Sequence, residues 1–292
     1  MGLRRGWSNL GVALGLALVL GCCGVAWSRN GTKGSQTPET TKSADPTAAA
    51  RNRMVQRHLV EHGIKNPRVL EAFRTVPRHK FLPEKTRRQA YDDESIPIGE
   101  GQTITPPYDV AFMTEVLDPQ PTDKVFEVGT GSGYQSSILS RLVKEVYSVE
   151  IHARLSRRAA AVHKELGYTN IHTRVGDGYE GWPEAAPFDA IIVTCAPHRI
   201  PRPLIDQLKE GGRMIIPLGS RFNQTVHLVI KKNGKLLDRE LKPTLFVPMT
   251  GKALKEGPEP RPDPGTPGPQ SDEPRHRGRR NRGSARSRSS DG

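Results

Sequence analysis

Glycine at every second position in Glu127-Val-Gly-Thr-Gly-Ser-Gly-Tyr-Gln135 limits this chain to very few folds. The run before it, Lys124-Val-Phe-Glu-Val128, has strand character, and Tyr134 to Val143 has helix character. A strand that turns through glycines into a helix sets backbone N–H groups and a helix N-terminus around a nucleotide-like ligand. Glu127, two positions before the first glycine, and the spacing G-x-G-x-G in place of G-x-G-x-x-G favour S-adenosylmethionine over a dinucleotide. A ligand-free tight turn would use the same glycines, so the reading needs support from elsewhere in the chain.

That support comes from the alternation that follows. Strands are predicted at 124–128, 145–149, 170–175, 188–194 and 212–217, and helices at 133–143, 152–166 and 201–208. Near-continuous apolar runs such as Ala190-Ile-Ile-Val-Thr194 suit strands buried on both faces, as in a parallel sheet. Val226–Ile230 and Leu236–Leu241 flank Asn233-Gly234, a hairpin that adds an antiparallel edge. Glu150 ends the second strand, where a carboxylate can accept from both hydroxyls of a ribose. Gly176-Asp177-Gly178 ends the third, where glycines admit a flat ring and the Asp177 carboxylate receives an exocyclic amine. Three such sites at the C-terminal ends of successive strands converge on one crevice.

The ends of the chain have a different composition. Arg4-Arg5, the apolar stretch Leu10–Leu20 and Gly21-Cys22-Cys23-Gly24 form an export-leader pattern, placed at 1–28 and too short for a membrane span. Residues 29–50 read as a polar linker, and 252–292 as a disordered tail rich in Pro and Arg. The formal charge is +13, yet residues 1–53 carry about +5 and residues 252–292 about +4 of it. The domain between is left with about +4, which does not indicate a nucleic-acid groove. Cys195 is the lone thiol of that domain and reads as buried and inert, so neither a disulfide framework nor a cysteine metal site is expected.

Within 51–251, an N-terminal part (51–118) precedes the α/β part (119–251). An amphipathic helix spans Arg51–His62, Asn66-Pro67 caps a second helix through Leu70 and Phe73, and a third covers Pro107–Leu117. Pro77–Pro107 reads as irregular. Its stretch Ala90–Tyr108 is an extended loop whose Gln102, Thr103 and Thr105 are suited to hydrogen-bond a peptide.

These segments together resemble the protein-L-isoaspartate O-methyltransferases. The matching blocks are Val76-Pro-Arg-His-Lys-Phe81, Ile96-Pro-Ile-Gly-Glu-Gly-Gln-Thr-Ile-Thr105, the glycine loop, Val146-Tyr-Ser-Val-Glu150, Gly176-Asp-Gly178, Gly181-Trp-Pro183, Pro187–Thr194 and Gly211–Pro217. The Gly-Gln-Thr-Ile block is the distinctive one. The resemblance covers about residues 54–251 and implies an α/β, Rossmann-like S-adenosylmethionine-dependent methyltransferase fold. Its sheet would be mostly parallel, with an antiparallel C-terminal hairpin and an N-terminal helical extension.

The resemblance further implies S-adenosylmethionine as cofactor, isoaspartyl proteins and peptides as partners, no metal, and a monomer. Thr105 falls at the family's active-site hydroxyl, usually serine, with Gln102, Thr103 and Ile104 beside it as acceptor contacts. Glu127, Gly129, Thr130, Gly131, Ser132, Gly133, Glu150, Asp177 and Gly178 fall at cofactor positions. Pro106, Cys195 and His79 depart from the residues usual there, without removing a needed chemical group. The expected location is the cytoplasm, where the donor is made. Export or lipid anchoring through the leader is the alternative, and Met54, near where family members begin, would make 1–53 an extension of the reading frame. Methylation of another substrate, nucleic acid or small molecule, and a non-catalytic exported binding protein are the competing functions.

Overall fold

A computed structural model describes residues 45–255. The leader, most of the linker and the tail beyond Lys255 lie outside the described residues. Asp45–Thr47 form a turn leading into α1 (Ala48–Met54), so the fold begins inside the segment read as linker. Arg51, almost wholly buried, ties this start down by pairing with Asp45 at 2.8 Å and donating to the carbonyl of Arg74. The helix continues as a π-helical turn over Val55–Val60. Asn66 caps α2 (Pro67–Thr75) as its sequence requires, its side chain accepting from the N–H groups of Arg68 and Val69.

The segment read as irregular is more regular than its composition suggests. Two 3-10 turns, Arg78–Phe81 and Glu84–Gln89, lead into a small antiparallel hairpin of β1 (Ile96–Gly99) and β2 (Gln102–Ile104). Ile96, Ile98 and Ile104 point into the core. The hairpin therefore replaces the extended loop expected over 90–108. Helix α3 (Pro107–Leu117) follows, started by proline at its first position.

The remaining chain alternates as expected: β3 (Lys124–Val128), α4 (Tyr134–Ser140), β4 (Glu145–Glu150), α5 (Ala153–Glu165), β5 (Ile171–Val175), β6 (Phe188–Val193) and α6 (Arg202–Gln207). Three longer strands close it, β7 (Leu208–Ser220), β8 (Asn223–Lys232) and β9 (Lys235–Thr244). The sheet order is β5-β4-β3-β6-β7-β8-β9, parallel from β5 through β7 and antiparallel across β7-β8-β9. Asn233 and Gly234 take φ of 53° and 71°, the left-handed pair that a two-residue hairpin loop requires.

Alternation along β6 shows why its run is apolar throughout. Ala190 and Ile192 enter the core beneath α2–α5, while Ile191 and Val193 enter a second core with Leu204 of α6. The chain runs β3, β4, β5 outward and then returns to β6 on the other side of β3. That reversal opens a crevice at the C-terminal strand ends, where ligands of open α/β sheets bind.

Candidate active site

The crevice is built from the strand ends outward. After β3 the chain turns through Gly129, whose φ of 94° places its backbone against Thr194; a Cβ there would stand 2.5 Å from the Thr194 hydroxyl oxygen. That hydroxyl shares its one proton between the carbonyls of Val128 and Gly129, 2.9 and 2.8 Å away, locking β6 to the start of the loop. Beyond the loop, Nε2 of the buried His163 lies 2.9 Å from the Gly133 carbonyl oxygen, which requires the tautomer protonated at Nε2. Burial lowers the pKa of this imidazole and keeps it neutral.

At the end of β4, Glu150 uses both carboxylate oxygens locally. Oε2 accepts from the N–H of Gly131 at 2.8 Å and Oε1 from the N–H of His152 at 2.9 Å. Each oxygen keeps a lone pair, so the pair can still receive two vicinal hydroxyls. After β5, Asp177 Oδ1 accepts from the N–H of Tyr179 at 3.0 Å and Oδ2 from that of Lys252 at 2.8 Å. Lys252 belongs to a 3-10 turn, Gly251–Lys255, packed on this corner and inside the segment read as disordered tail.

One cavity gathers Gln102, Thr103, Ile104, Thr105, Gly129, Thr130, Gly131, Ser132, Glu150, Asp177 and Gly178. Gly133 is not on its wall; it caps α4 with φ of 87° against His163. Glu127 is not on the wall either. Its carboxyl lies under the loop, accepting from the Ser148 hydroxyl at 2.5 Å, and Ser148 shares a 2.5 Å hydrogen bond with Thr130. Complete burial pushes the pKa of Glu127 up to about 8, so the group is neutral at pH 7 and supports the glycine loop from below.

Thr194, Cys195 and the stretch Val247–Thr250 also line the cavity, and sequence reasoning did not assign them there. Thr194 follows β6, so the strand-end rule that found Glu150 and Asp177 would have found it. Val247–Thr250 carries no local signal; it is brought in by N–H bonds from Ala196 to Val247 and from Met249 to Ala196, at 2.8 and 2.9 Å. Cys195 is half-buried on the cavity wall rather than fully buried as expected, and desolvation, with Glu150 and Asp177 nearby, raises its thiol pKa well above the ordinary range, which disfavours the reactive thiolate.

On the far side of Thr105 a second, open cleft shares Thr103, Thr105 and Thr194 with the cavity. The Thr105 backbone is fixed by Arg78, whose Nη2 donates to its carbonyl at 2.8 Å. Among the described residues the Thr105 hydroxyl has no hydrogen-bond partner, which leaves it available at the junction of the two spaces. No cluster of His, Cys, Asp or Glu suited to a metal ion occurs among the described residues.

Comparison with known proteins identifies the family. The sequence model of the protein-L-isoaspartate(D-aspartate) O-methyltransferase family matches residues 50–254. A protein-L-isoaspartate O-methyltransferase of Opitutus terrae is 52% identical over 201 residues, spanning 68% of this chain and 86% of the relative. Protein-L-isoaspartate O-methyltransferase 2 of Shewanella sediminis is 48% identical over 220 residues, spanning 75% and 90%. A solved protein-L-isoaspartate O-methyltransferase aligns with a TM-score of 0.65 at 29% identity, over 70% of this chain and 67% of that one. A Plasmodium falciparum β-aspartate methyltransferase structure, in complex with S-adenosyl-L-homocysteine, shares the fold with a TM-score of 0.62 at 24% identity, over 68% and 98%. This chain belongs to the protein-L-isoaspartate(D-aspartate) O-methyltransferase family.

Proposed function

We propose that the two spaces meeting at Thr105 divide the reaction between them, with the cofactor in the strand-end cavity and the isoaspartyl segment in the open cleft. The observation that carries this reading is the shared wall of Thr103, Thr105 and Thr194. S-adenosylmethionine supplies an activated methyl group, and the cavity fits it. The glycine loop leaves backbone against the ligand, Glu150 retains two acceptor lone pairs for a ribose, and Asp177 with Gly178 borders the place of the ring. Glu127 acts through Ser148 and Thr130 rather than by contact.

The acceptor is the free carboxylate of an L-isoaspartyl residue. With a pKa near 4 it is already ionised at neutral pH, so the enzyme needs no general base. The chain's work is alignment and exclusion of water. Thr105, held by Arg78, orients the carboxylate or its adjoining backbone, and Gln102, Thr103 and Ile104 of the β1–β2 hairpin form the wall beside it. The neighbouring backbone nitrogen then attacks the ester carbonyl and expels methanol, and water can reopen the resulting succinimide to normal aspartate without the enzyme.

Tritiated methyl transfer to an isoaspartyl peptide, with its aspartyl twin as control, tests this reading. Label in the isoaspartyl peptide alone supports it, and equal label in both, or in neither, contradicts it. The same reading takes the protein as a cytoplasmic monomer. A native protein without lipid on Cys22 and a monomer mass in sedimentation accord with it; a lipid-modified Cys22 does not. Among the described residues no helix is long and apolar enough to cross a membrane.

A further inference from the structure

The open cleft, about 440 Å³ in volume, extends well beyond Thr105 and has a rim that methyl transfer itself does not require. Arg221 and Phe222 form the turn between β7 and β8, outside the last pair Ser220–Asn223. Leu245 follows β9. Phe222 is 84% exposed and Leu245 69% exposed. Single exposed apolar residues are ordinary, but two large ones bordering one functional cleft are not scattered surface.

Leu245 is held on a rigid frame. Gln224, itself buried, pairs with Thr244 across the sheet, accepts from the N–H of Phe246 at 2.6 Å and donates to its carbonyl at 3.0 Å. Leu245 lies between those two anchored residues, so its backbone is fixed while its side chain stands in solvent. The rim also carries uneven charge. Lys242 is compensated by Asp109 at 2.6 Å and sits over Tyr108. Arg221 has no carboxylate partner among the described residues; its guanidinium lies 5.6 Å from the centre of the Phe222 ring.

We propose that this rim sets the sequence preference of the acceptor. A polypeptide whose isoaspartyl residue reaches Thr105 lays a large apolar flanking side chain against Phe222 and Leu245, and places an acidic residue farther out beside Arg221. The inference rests on the repair reading and adds to it, since the cleft continues from Thr105 and an extended chain advances only about 3.3–3.6 Å per residue. Flanking residues of the substrate must therefore lie along this rim.

The test is a set of isoaspartyl peptides of equal length, assayed with the full chain. One has serine on both flanks; two have leucine on one flank or the other; a fourth adds glutamate beyond the preferred leucine. One leucine position should lower KM about tenfold with kcat nearly unchanged, the effect of half-burying one large apolar side chain. Glutamate should lower it a further factor of about three, and added salt should remove that gain. Phe222→Ser and Leu245→Ser should lose the leucine preference while keeping the wild-type KM for the serine-flanked peptide. Arg221→Ser should lose only the glutamate gain. Equal KM for all four peptides, or a leucine preference that survives in the Phe222→Ser/Leu245→Ser double variant, overturns the proposal while methylation itself persists. Absence of transfer to every isoaspartyl peptide overturns the repair reading as well.

Discussion

Nη2 of Arg78 donates a 2.8 Å hydrogen bond to the carbonyl oxygen of Thr105. Arg78 is fully buried, and its guanidinium lies 4.7 Å from the centre of the Tyr134 ring, at the start of α4. Burial lowers its pKa to about 10, so it stays charged at neutral pH. One buried cation thus ties the acceptor-side residue to the helix that follows the glycine loop.

Arg78→Met should leave the Thr105 carbonyl without its partner and let Thr105 drift. A displacement of about 1 Å can cost on the order of 100-fold in rate, so kcat should fall tenfold or more. Cofactor affinity should change less than about threefold, because Glu150 and Asp177 are anchored elsewhere. Steady-state kinetics paired with calorimetric titration of S-adenosylhomocysteine separate the two. An equal loss of both would mean that Arg78 is merely structural.

Glu150→Gln places an amide N–H where the Gly131 and His152 N–H groups now find acceptors. At least one of those donors loses its partner, and a ribose loses an acceptor. The expected rise in cofactor Kd is about 10- to 100-fold, or about 1.4–2.8 kcal/mol. Unchanged affinity would remove Glu150 from the cofactor site.

Gly129→Ala forces a side chain into a backbone conformation at φ 94° and onto the Thr194 hydroxyl, 2.5 Å away. The left-handed conformation alone costs roughly 1–2 kcal/mol. Displacing a hydroxyl that bonds two carbonyls adds about as much again, so a stability loss of about 2–4 kcal/mol is expected in denaturant melts, with cofactor binding abolished. A variant that melts like wild type would contradict the close approach of β6 to the loop.

Glu127 makes the stability depend on pH in a particular direction. Folding raises its pKa from 4.5 to about 8, so the native state keeps a proton that the unfolded chain releases. This contribution is complete below pH 4.5 and is lost as pH climbs toward 8. Between those limits wild type should lose about 1.4 kcal/mol per pH unit relative to Glu127→Gln, which carries no such proton. A difference that stays flat from about pH 5 to 8 would show that Glu127 is ionised in the fold.

What the sequence revealed depended on how local each signal was. The glycine loop, Glu150 and Gly176-Asp177-Gly178 lie at the ends of β3, β4 and β5, which the regular alternation of strand and helix segments located, so both fold and cofactor pocket were legible. The β1–β2 hairpin was not, because its strands are three and four residues long and one contains Pro97. The β7–β8 turn at Arg221-Phe222 contains neither glycine nor asparagine, so nothing marked it as Asn233-Gly234 marked the next one. Val247–Thr250 reaches the cavity through pairing with Ala196 and through the flanking anchors of Phe246 on Gln224 and Lys252 on Asp177, contacts between residues far apart in the chain. Glu127 was read as a ligand contact from its motif position, whereas its place under the loop depends on Ser148 of the neighbouring strand.

The most direct measurement follows the whole repair cycle. An isoaspartyl peptide is incubated with the enzyme and S-adenosylmethionine for many turnovers, and the peptide isomers are separated while methanol is quantified. The account predicts methanol release, loss of the isoaspartyl form and accumulation of the aspartyl form, with Thr105→Val at least tenfold slower because its hydroxyl is gone. An unchanged isoaspartyl peptide, or a wild-type rate in Thr105→Val, would contradict the assignment of Thr105 and the cleft it borders.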